Sequence, residues 1–599
     1  MQVITVILFL FFVGIVLGLS FYLGRKAKSE SGYFAAGGKI HWSVNGVAFA
    51  GDYLSAASFL GIAGMIATLG YDGFLYSIGY LAGWVVALFV VSEPMKRLGK
   101  YTFADALDAK FKSRGIRLAA AFSTLIVSLF YLIPQMVGAG VLVKPLYGLP
   151  NDAGVLIVGA LVIINVATAG MTSTTYVQFI KGGLLIVFST ILVGAVLMRG
   201  LSTTPDQGGK EPFHEFQTLP AQVDGDQVVV DGDDYRYVSQ YDNKGTMLVS
   251  LADPEGQISW WKAESDENGQ LLLHESQYTA VKDDGSKWIN GAPASDENQL
   301  IQVGNMSEIA GASGSGVDTG AVGVFEFLSL ISAEDSTIQM WQKAGFTDNG
   351  EDTVVYYSEP ISGNQFMRPG LKFKVEGSAV DRIDFVSLML ALFLGTAALP
   401  HVLIRYYTVP DAASARKSTI VAIVAIGFFY ILTLYLGLGA MVNGVINPAD
   451  GNMSAPLLAK SFGVFLFAII SAIAFATVLG TVSGLIVAAS GAVAHDVMDM
   501  FLKIQMSEKQ KVTAGKITAV VVGIIAIMLG ILFEGMNVSF LVGWAFAVAA
   551  SANLPSIIMV LFWEKTTPAG IVSSIFAGTA VALGIILLSP DMFTRYGLD

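Results

Sequence analysis

The chain has 599 residues, 54% of them hydrophobic and 14% charged, with no cysteine and a formal net charge of −12. Its mean hydropathy is +0.62, and a soluble domain carries roughly 25% charged residues, so the composition is that of a bilayer protein. It excludes disulfides, iron–sulfur clusters and cysteine zinc sites, and no nucleic-acid partner or obligatory protein partner is expected.

Twelve segments approach the roughly 20 apolar residues that a bilayer requires: about 3–23, 42–69, 74–98, 118–147, 153–170, 177–198, 383–407, 418–442, 462–494, 513–533, 537–562 and 568–589. The first lacks a basic n-region and runs into Arg25 and Lys26, so it reads as a retained helix and not a signal peptide. Basic residues follow spans one (Arg25, Lys26, Lys28), three (Lys96, Arg97, Lys100, Lys110, Lys112, Arg114, Arg117), seven (Arg416, Lys417) and nine (Lys503, Lys509, Lys511, Lys516). The opposite short loops carry almost none, Lys144 and Lys460 excepted. The positive-inside rule then puts the N-terminus outside and the basic loops in the cytoplasm.

The stretch 201–380 is of different material, with 29 acidic and 10 basic residues. Lying between spans six and seven, it is expected on the extracytoplasmic face as a β-rich cap. Alternating runs at 227–230 and 235–238 suggest strands, and Asp231-Gly232, Asn268-Gly269 and Asn349-Gly350 suggest turns. Residues 311–316 read as a linker and 322–331 as a helix. The Asp231, Asp233, Asp234 and Asp283, Asp284 clusters lack calcium-loop spacing and read as solvated surface.

Two spans are interrupted near their middles. One carries Gly51-Asp52-Tyr53-Leu54-Ser55-Ala56-Ala57-Ser58, then Gly61 and Gly64; the other carries Gly395-Thr396-Ala397-Ala398-Leu399-Pro400-His401. Backbone inside a bilayer must satisfy its own hydrogen bonds, so a broken helix is tolerated only where it lines a protein cavity. A matching pair of such helices points to the binding site of a secondary transporter. Asp52 is a carboxylate at membrane depth, which is costly and usually functional. It is expected to lower the local potential for a cation or to carry a proton itself. If spans two to six and seven to eleven form five-helix repeats, the odd number inverts one against the other.

At these residues the chain resembles the sodium:solute symporter family, and most closely its acetate permease branch, over about 30–198 and 382–588. The carriers are Ser31-Gly32-Tyr33-Phe34-Ala35-Ala36-Gly37-Gly38, the 50–61 run around Asp52, Gly70-Tyr71-Asp72-Gly73, Tyr101-Thr102-Phe103-Ala104-Asp105 and Gln135-Met136-Val137-Gly138-Ala139-Gly140. They continue through 395–401 with Arg405, Ala474-Phe475-Ala476-Thr477 and His495-Asp496. The resemblance implies an all-α membrane protein with inverted five-helix repeats of the leucine-transporter type. Its divisions are a leading helix (1–30), a first repeat (31–199), the acidic insertion (200–381), a second repeat (382–566) and a final helix with a short tail (567–599). The insertion has no counterpart in short members, and a further helix expected after 568–589 does not occur in this sequence.

The resemblance also implies a cation site: Gly51 and Leu54 on the first broken helix, with Thr477, Gly480 and Thr481 facing them. Oxygen ligands suit Na+, a hard cation. Many sodium-coupled relatives have a serine at position 480, so Gly480 removes one hydroxyl, and H+ is the alternative coupling ion; Thr477 or Ser483 could compensate. No enzymatic cofactor is expected. Helix N-termini at the breaks suit a carboxylate. Ser55, Ala56, Ser58 and Phe59 are expected to line one wall of the substrate site, Gln135 and Met136 another, and Gly395 and Thr396 the third. With no lysine or arginine expected at the midplane, a monocarboxylate fits better than a dicarboxylate. His401 and Arg405 are gating candidates, Arg405 snorkelling to the interface and His401 most simply a packing residue. The run Phe428-Phe429-Tyr430 reads as lipid-facing, and 101–111 as a short cytoplasmic helix capped by Thr102 and Asp105.

These readings converge on a cation-coupled symporter of a short-chain monocarboxylate, acetate by that resemblance, in a bacterial cytoplasmic membrane. A neutral amino acid such as proline is the alternative substrate, and a transporter-like solute sensor the alternative class. A channel filter is not present in the sequence. No enzyme is expected, because the spans hold neither paired metal-binding carboxylates at helical spacing nor a nucleophile with a nearby base.

Overall fold

The computed structural model describes residues 35–596 except 100, 148–150, 169–170, 226, 231–234, 267 and 296, together with residues 6–11, 13–15, 18, 22 and 32. The expected leading span 3–23 falls mostly outside the described residues. Arg25, Lys26, Lys28, Ser31, Tyr33, Phe34, Lys100 and the Asp231, Asp233, Asp234 cluster lie outside them altogether.

Among the described residues nine helices are long and apolar enough to cross a membrane, and a bent pair supplies a tenth span. Each segment expected from 42–69 onward coincides with one of these or with the 18-residue helix Asn151–Thr168. The span expected at 462–494 continues through the π-helical turns Ala492–Phe501. The helix cap expected near residue 102 forms: Thr102 and Asp105 make a capping box at the start of helix Phe103–Asp108.

Both interruptions are present. Helix Trp42–Tyr53 ends where Leu54 takes ψ 73°, and the chain restarts through the π-turn Ala57–Gly61 into helix Ile62–Leu69. The halves are bent by 61°. A π-turn leaves carbonyls without their usual partners. Ser539 Oγ donates to Ala57 O at 2.8 Å and Asn537 Nδ2 to Gly61 O at 3.2 Å, so the break is satisfied by protein. Helix Ala379–Thr396 stops before Leu399, which is extended, and Pro400 opens helix Pro400–Leu403. Proline has no N–H to continue the ladder; Asn553 Nδ2 satisfies Ala398 O at 3.0 Å.

The insertion is β-rich, built as a six-stranded antiparallel sheet of order β2-β1-β6-β5-β4-β3 and a seven-stranded sheet of order β11-β10-β12-β13-β7-β8-β9. The ranges are β1 Thr218–Asp224, β2 Gln227–Val230, β3 Arg236–Asn243, β4 Thr246–Ala252, β5 Ile258–Ser265, β6 Leu271–Glu275, β7 Gln277–Val281, β8 Lys287–Ile289, β9 Ala292–Pro293, β10 Met306–Ile309, β11 Ala312–Ser313, β12 Thr337–Asp348 and β13 Glu351–Ser362. Asn349 and Gly350 both have positive φ (50° and 86°) and close the β12–β13 hairpin with Asp348 opposite Glu351, the geometry that an Asn-Gly pair favours. Leu248 and Trp260 of one sheet pack on Ala280, Ala344 and Val355 of the other. The expected linker at 311–316 is instead structured: Ala312 and Ser313 pair with Ile309 and Glu308, and Gly314 O accepts from Thr203 Oγ1 at 2.7 Å. Helix Val324–Ile331 forms where one was expected and docks on the bundle, with Tyr435 donating to Val324 O at 2.9 Å. The buried Asp72 carboxylate accepts from the amides of Gly370, Lys372 and Phe373 at 3.1, 2.6 and 3.0 Å, pinning the segment that leads back into the membrane.

Candidate functional site

The first break brings Asp52 to the centre of the bundle, where it is 1% exposed. Its Oδ2 accepts from Arg405 Nε at 2.7 Å, and its Oδ1 from Gln178 Nε2. Arg405 is wholly buried. It therefore does not snorkel: the break before Pro400 carries the chain into a 3-10 turn, Ile404–Thr408, that sets Arg405 against the first broken helix. Only Nε is engaged, and Nη1 and Nη2 have no hydrogen-bond partner. His401, one turn earlier, is buried with both ring nitrogens unpartnered, its ring 5.0 Å from that of Tyr131. A satisfied packing histidine is not what the structure contains.

Of the residues matched to a cation site, Thr477, Gly480 and Thr481 face the first broken helix across helix Met171–Arg199, and oxygens of these three are already engaged. Helix Met171–Arg199 lies against both the first broken helix and helix Val464–Gly491. The approach is close enough that a Cβ on Gly51 would overlap Gln178 O, and a Cβ on Gly182 would lie 2.8 Å from Gly51 Cα. From this helix Lys181 Nζ donates to Thr477 O at 2.8 Å and lies 3.5 Å from Thr481 Oγ1. Gln178 Nε2 donates to Gly480 O at 2.9 Å, and Thr481 Oγ1 donates to Asp52 O at 2.8 Å. The Cβ that Gly480 lacks would overlap Lys181 Nζ. The hydroxyls of Thr477 and Ser483, considered as substitutes for a serine, bond back to Ile473 O and Leu479 O of their own helix. Leu54 sits at the break itself, its N–H bonded to Ala50 O at 2.7 Å.

Lys181 is 1% exposed and Gln178 wholly buried, so the expectation of a midplane without lysine or arginine is wrong twice, at Lys181 and at Arg405. A signal for Lys181 existed, since an ionisable residue inside a span is functional by default. Placing the span at 177–198 left Lys181 within about a turn of its end, where it could reach water. The helix begins at Met171, which draws Lys181 inward.

The expected substrate walls divide. Gln135 Nε2 is buried without a partner, Gln135 Oε1 accepts from Ala56 N at 3.3 Å, and the neighbouring Ser55 hydroxyl faces Tyr131, so Ala56 and Gln135 meet with Ser55 beside them. Ser58 bonds Tyr53 O and Tyr430 OH, both at 3.3 Å, and Thr396 bonds Tyr53 OH at 2.7 Å and Leu392 O at 2.9 Å. Their hydroxyls serve the protein's own network. Gly395 is a packing glycine, its missing Cβ 2.5 Å from Phe546 O. Phe59 packs on Phe429, ring centroids 6.4 Å apart. Met136, expected on the wall with Gln135, lies against Gly530 of helix Glu508–Leu532. The run 428–430 is not a lipid stripe, since only Phe428 is exposed and Tyr430 reaches Ser58.

The profile of the sodium:solute symporter family matches residues 33–214 and 354–578, leaving out most of the insertion. An uncharacterized symporter of Bacillus subtilis, YwcA, is 35% identical over all of this chain and 88% of its own length. A monocarboxylic acid transporter of Corynebacterium glutamicum is 35% identical over 98% of this chain and 84% of its own. Among solved structures, a Na+-coupled sialic acid symporter in its substrate-bound outward-open state superposes with a TM-score of 0.57 at 13% identity, covering 98% of each chain. That likeness shows the fold, the leucine-transporter type expected of the membrane part, to which this chain adds its β-rich insertion. The paired breaks, the buried charges between them and these relatives agree: the chain belongs to the sodium:solute symporter family and is a multi-pass, cation-coupled carrier of a small solute, not an enzyme.

Proposed function

We propose that this symporter imports a short-chain monocarboxylate, acetate being the simplest, by alternating access. The observation that supports this most is the free edge of Arg405. Asp52 holds the guanidinium through Nε alone, so Nη1 and Nη2 remain as a buried, unpartnered fork. A planar fork of this kind matches a carboxylate bidentately. Gln135 and His401 add unpartnered polar atoms. Because Asp52 already balances Arg405, one further carboxylate is the natural complement of this centre with Lys181 beside it. The relative named a monocarboxylic acid transporter agrees.

The two broken helices open two inverted repeats, 31–199 and 382–566, that rock around this centre. Basic loops facing the cytoplasm would put the N-terminus and the insertion outside a bacterial cytoplasmic membrane. The family points to Na+ as the coupling ion, while the ammonium of Lys181 on the matched oxygens favours a proton. Solute counterflow in proteoliposomes tests the substrate: labelled acetate should exchange against unlabelled acetate or propionate and not against succinate. Exchange of proline alone would overturn the reading, and absence of any exchange would favour a sensor.

A further inference from the structure

We propose that the β-rich insertion carries a ligand site of its own, a cleft between its two sheets that takes a neutral sugar ring. The inference goes beyond the transport reading and does not rest on it.

The cleft follows from strand register. Residues alternate between the two faces of a strand, and residues directly opposite on neighbouring strands share a face. Leu248 and Trp260 pack against the second sheet. Ser250, two residues beyond Leu248 and opposite Trp260, therefore faces the same way. In the second sheet Ala280, on the face that packs on Leu248, stands between Trp288 of β8 and Thr353 of β13. Elsewhere Leu248, Ala344, Val355 and Tyr357 fill the space between the sheets. Where Ser250, Ala280 and Thr353 line it, the side chains are too small to do so, and a cleft of about 340 Å³ remains. Protein interiors hold few voids larger than a water molecule. This one is at the lower end of the roughly 300–1,000 Å³ range of small-molecule sites.

Trp260, Tyr278 and Trp288 give the cleft an aromatic lining. The polar atoms of two of these rings are already engaged: Trp288 Nε1 donates to Ser286 Oγ and Tyr278 OH to Ile258 O, both at 3.2 Å. Ser250 is wholly buried, and its hydroxyl has no partner, which is costly unless a ligand meets it. Lys282 Nζ lies 3.6 Å from the centre of the Trp288 ring and 3.7 Å from Glu351 Oε1, and Asp348 completes the charged lining. These groups choose among ligands. A metal ion wants a shell of oxygens and would face aromatic rings and an ammonium. An anion would meet two carboxylates for the one ammonium. A wholly apolar molecule would leave the Ser250 hydroxyl unmet. A sugar ring offers a face of C–H groups to the aromatic lining, and its hydroxyls, each donor and acceptor, suit Ser250, Lys282 and the carboxylates.

The test uses the full-length protein in lipid nanodiscs made without a glycoside detergent, whose headgroup would compete. Isothermal titration should show saturable binding of glucose, cellobiose or diacetylchitobiose, and none of mannitol, which has the hydroxyls but no ring. No binding of any of the three sugars, or equal binding of mannitol, would overturn the proposal. Trp288→Ala should weaken the tightest of these sugars roughly tenfold or more. Ser250→Ala removes one hydroxyl and serves where Trp288→Ala does not fold; it should weaken binding about three- to tenfold. Wild-type affinity in a variant that melts like wild type would overturn the proposal. Chain length separates the two sources of such a ring. Glucose binding as tightly as the disaccharides identifies a free sugar, and tightening from diacetylchitobiose to its tetrasaccharide identifies a glycan strand; each supports the site.

Discussion

Replacing Asp52 with asparagine tests the centre most directly. Both carboxylate oxygens accept from donors, Oδ2 from Arg405 and Oδ1 from Gln178. An asparagine of the same shape must turn its NH2 toward one of them, so one contact becomes donor against donor. The larger effect is on charge, because Arg405 keeps its guanidinium, wholly buried, with no carboxylate opposite. Removing one partner of a buried ion pair typically costs about 3–5 kcal/mol. If the pair forms only when the two broken helices close on each other, that free energy belongs to the closed state. At about 1.4 kcal/mol per decade the closed population falls roughly a hundredfold to a few thousandfold. We expect Asp52→Asn to lose counterflow by at least two orders of magnitude and to melt several degrees below wild type in detergent. The double variant Asp52→Asn, Arg405→Met removes both charges and should recover much of the melting temperature. It should not recover counterflow, because the fork for the solute carboxylate is gone. An Asp52→Asn protein with wild-type melting, wild-type counterflow and unchanged cation dependence would refute both the buried pair and any coupling role for Asp52.

Arg405→Lys keeps a charge but loses the planar fork, so KM for acetate should rise by about ten- to a hundredfold, the weight of one charge-assisted hydrogen bond; concentration-dependent uptake measures this. Gly51→Ala should overlap Gln178 O and push apart the first broken helix and helix Met171–Arg199, lowering stability by roughly 1–3 kcal/mol and abolishing exchange; a normal melting curve would contradict that approach. Asp72→Asn can keep only part of the three amide contacts from Gly370, Lys372 and Phe373. The loss of at least one, roughly 1.5–3 kcal/mol, should appear as faster protease cleavage within 363–378, with the cleavage rate of wild type as the reference.

The sequence was most readable where one residue dictates local geometry. Pro400 announces a helix restart, Asn349-Gly350 a tight hairpin, and Thr102 with Asp105 a helix cap; all three are found. The small and polar cluster around Asp52 marked the first break for the same reason. The site was readable as a neighbourhood: Ala56 and Gln135 meet, and Thr481 reaches Asp52 at the first break. Met136 and Tyr430 went wrong because hydropathy reports that a helix is apolar, not which neighbour each side faces. Residues 311–316 went wrong because a Gly/Ser-rich composition describes a free chain, and pairing with Glu308 and Ile309 overrides it.

Read alone, then, the sequence determined the membrane class, the positions of the spans, the two interruptions and the family, because length, hydropathy and turn chemistry act within a few residues. Tertiary structure alone decided where the charges go. Lys181 and Gln178 share one helix and Arg405 lies far from them in the chain, and only the close approach of the packed helices, at glycines 51, 182 and 480, brings them onto one carboxylate and one row of oxygens.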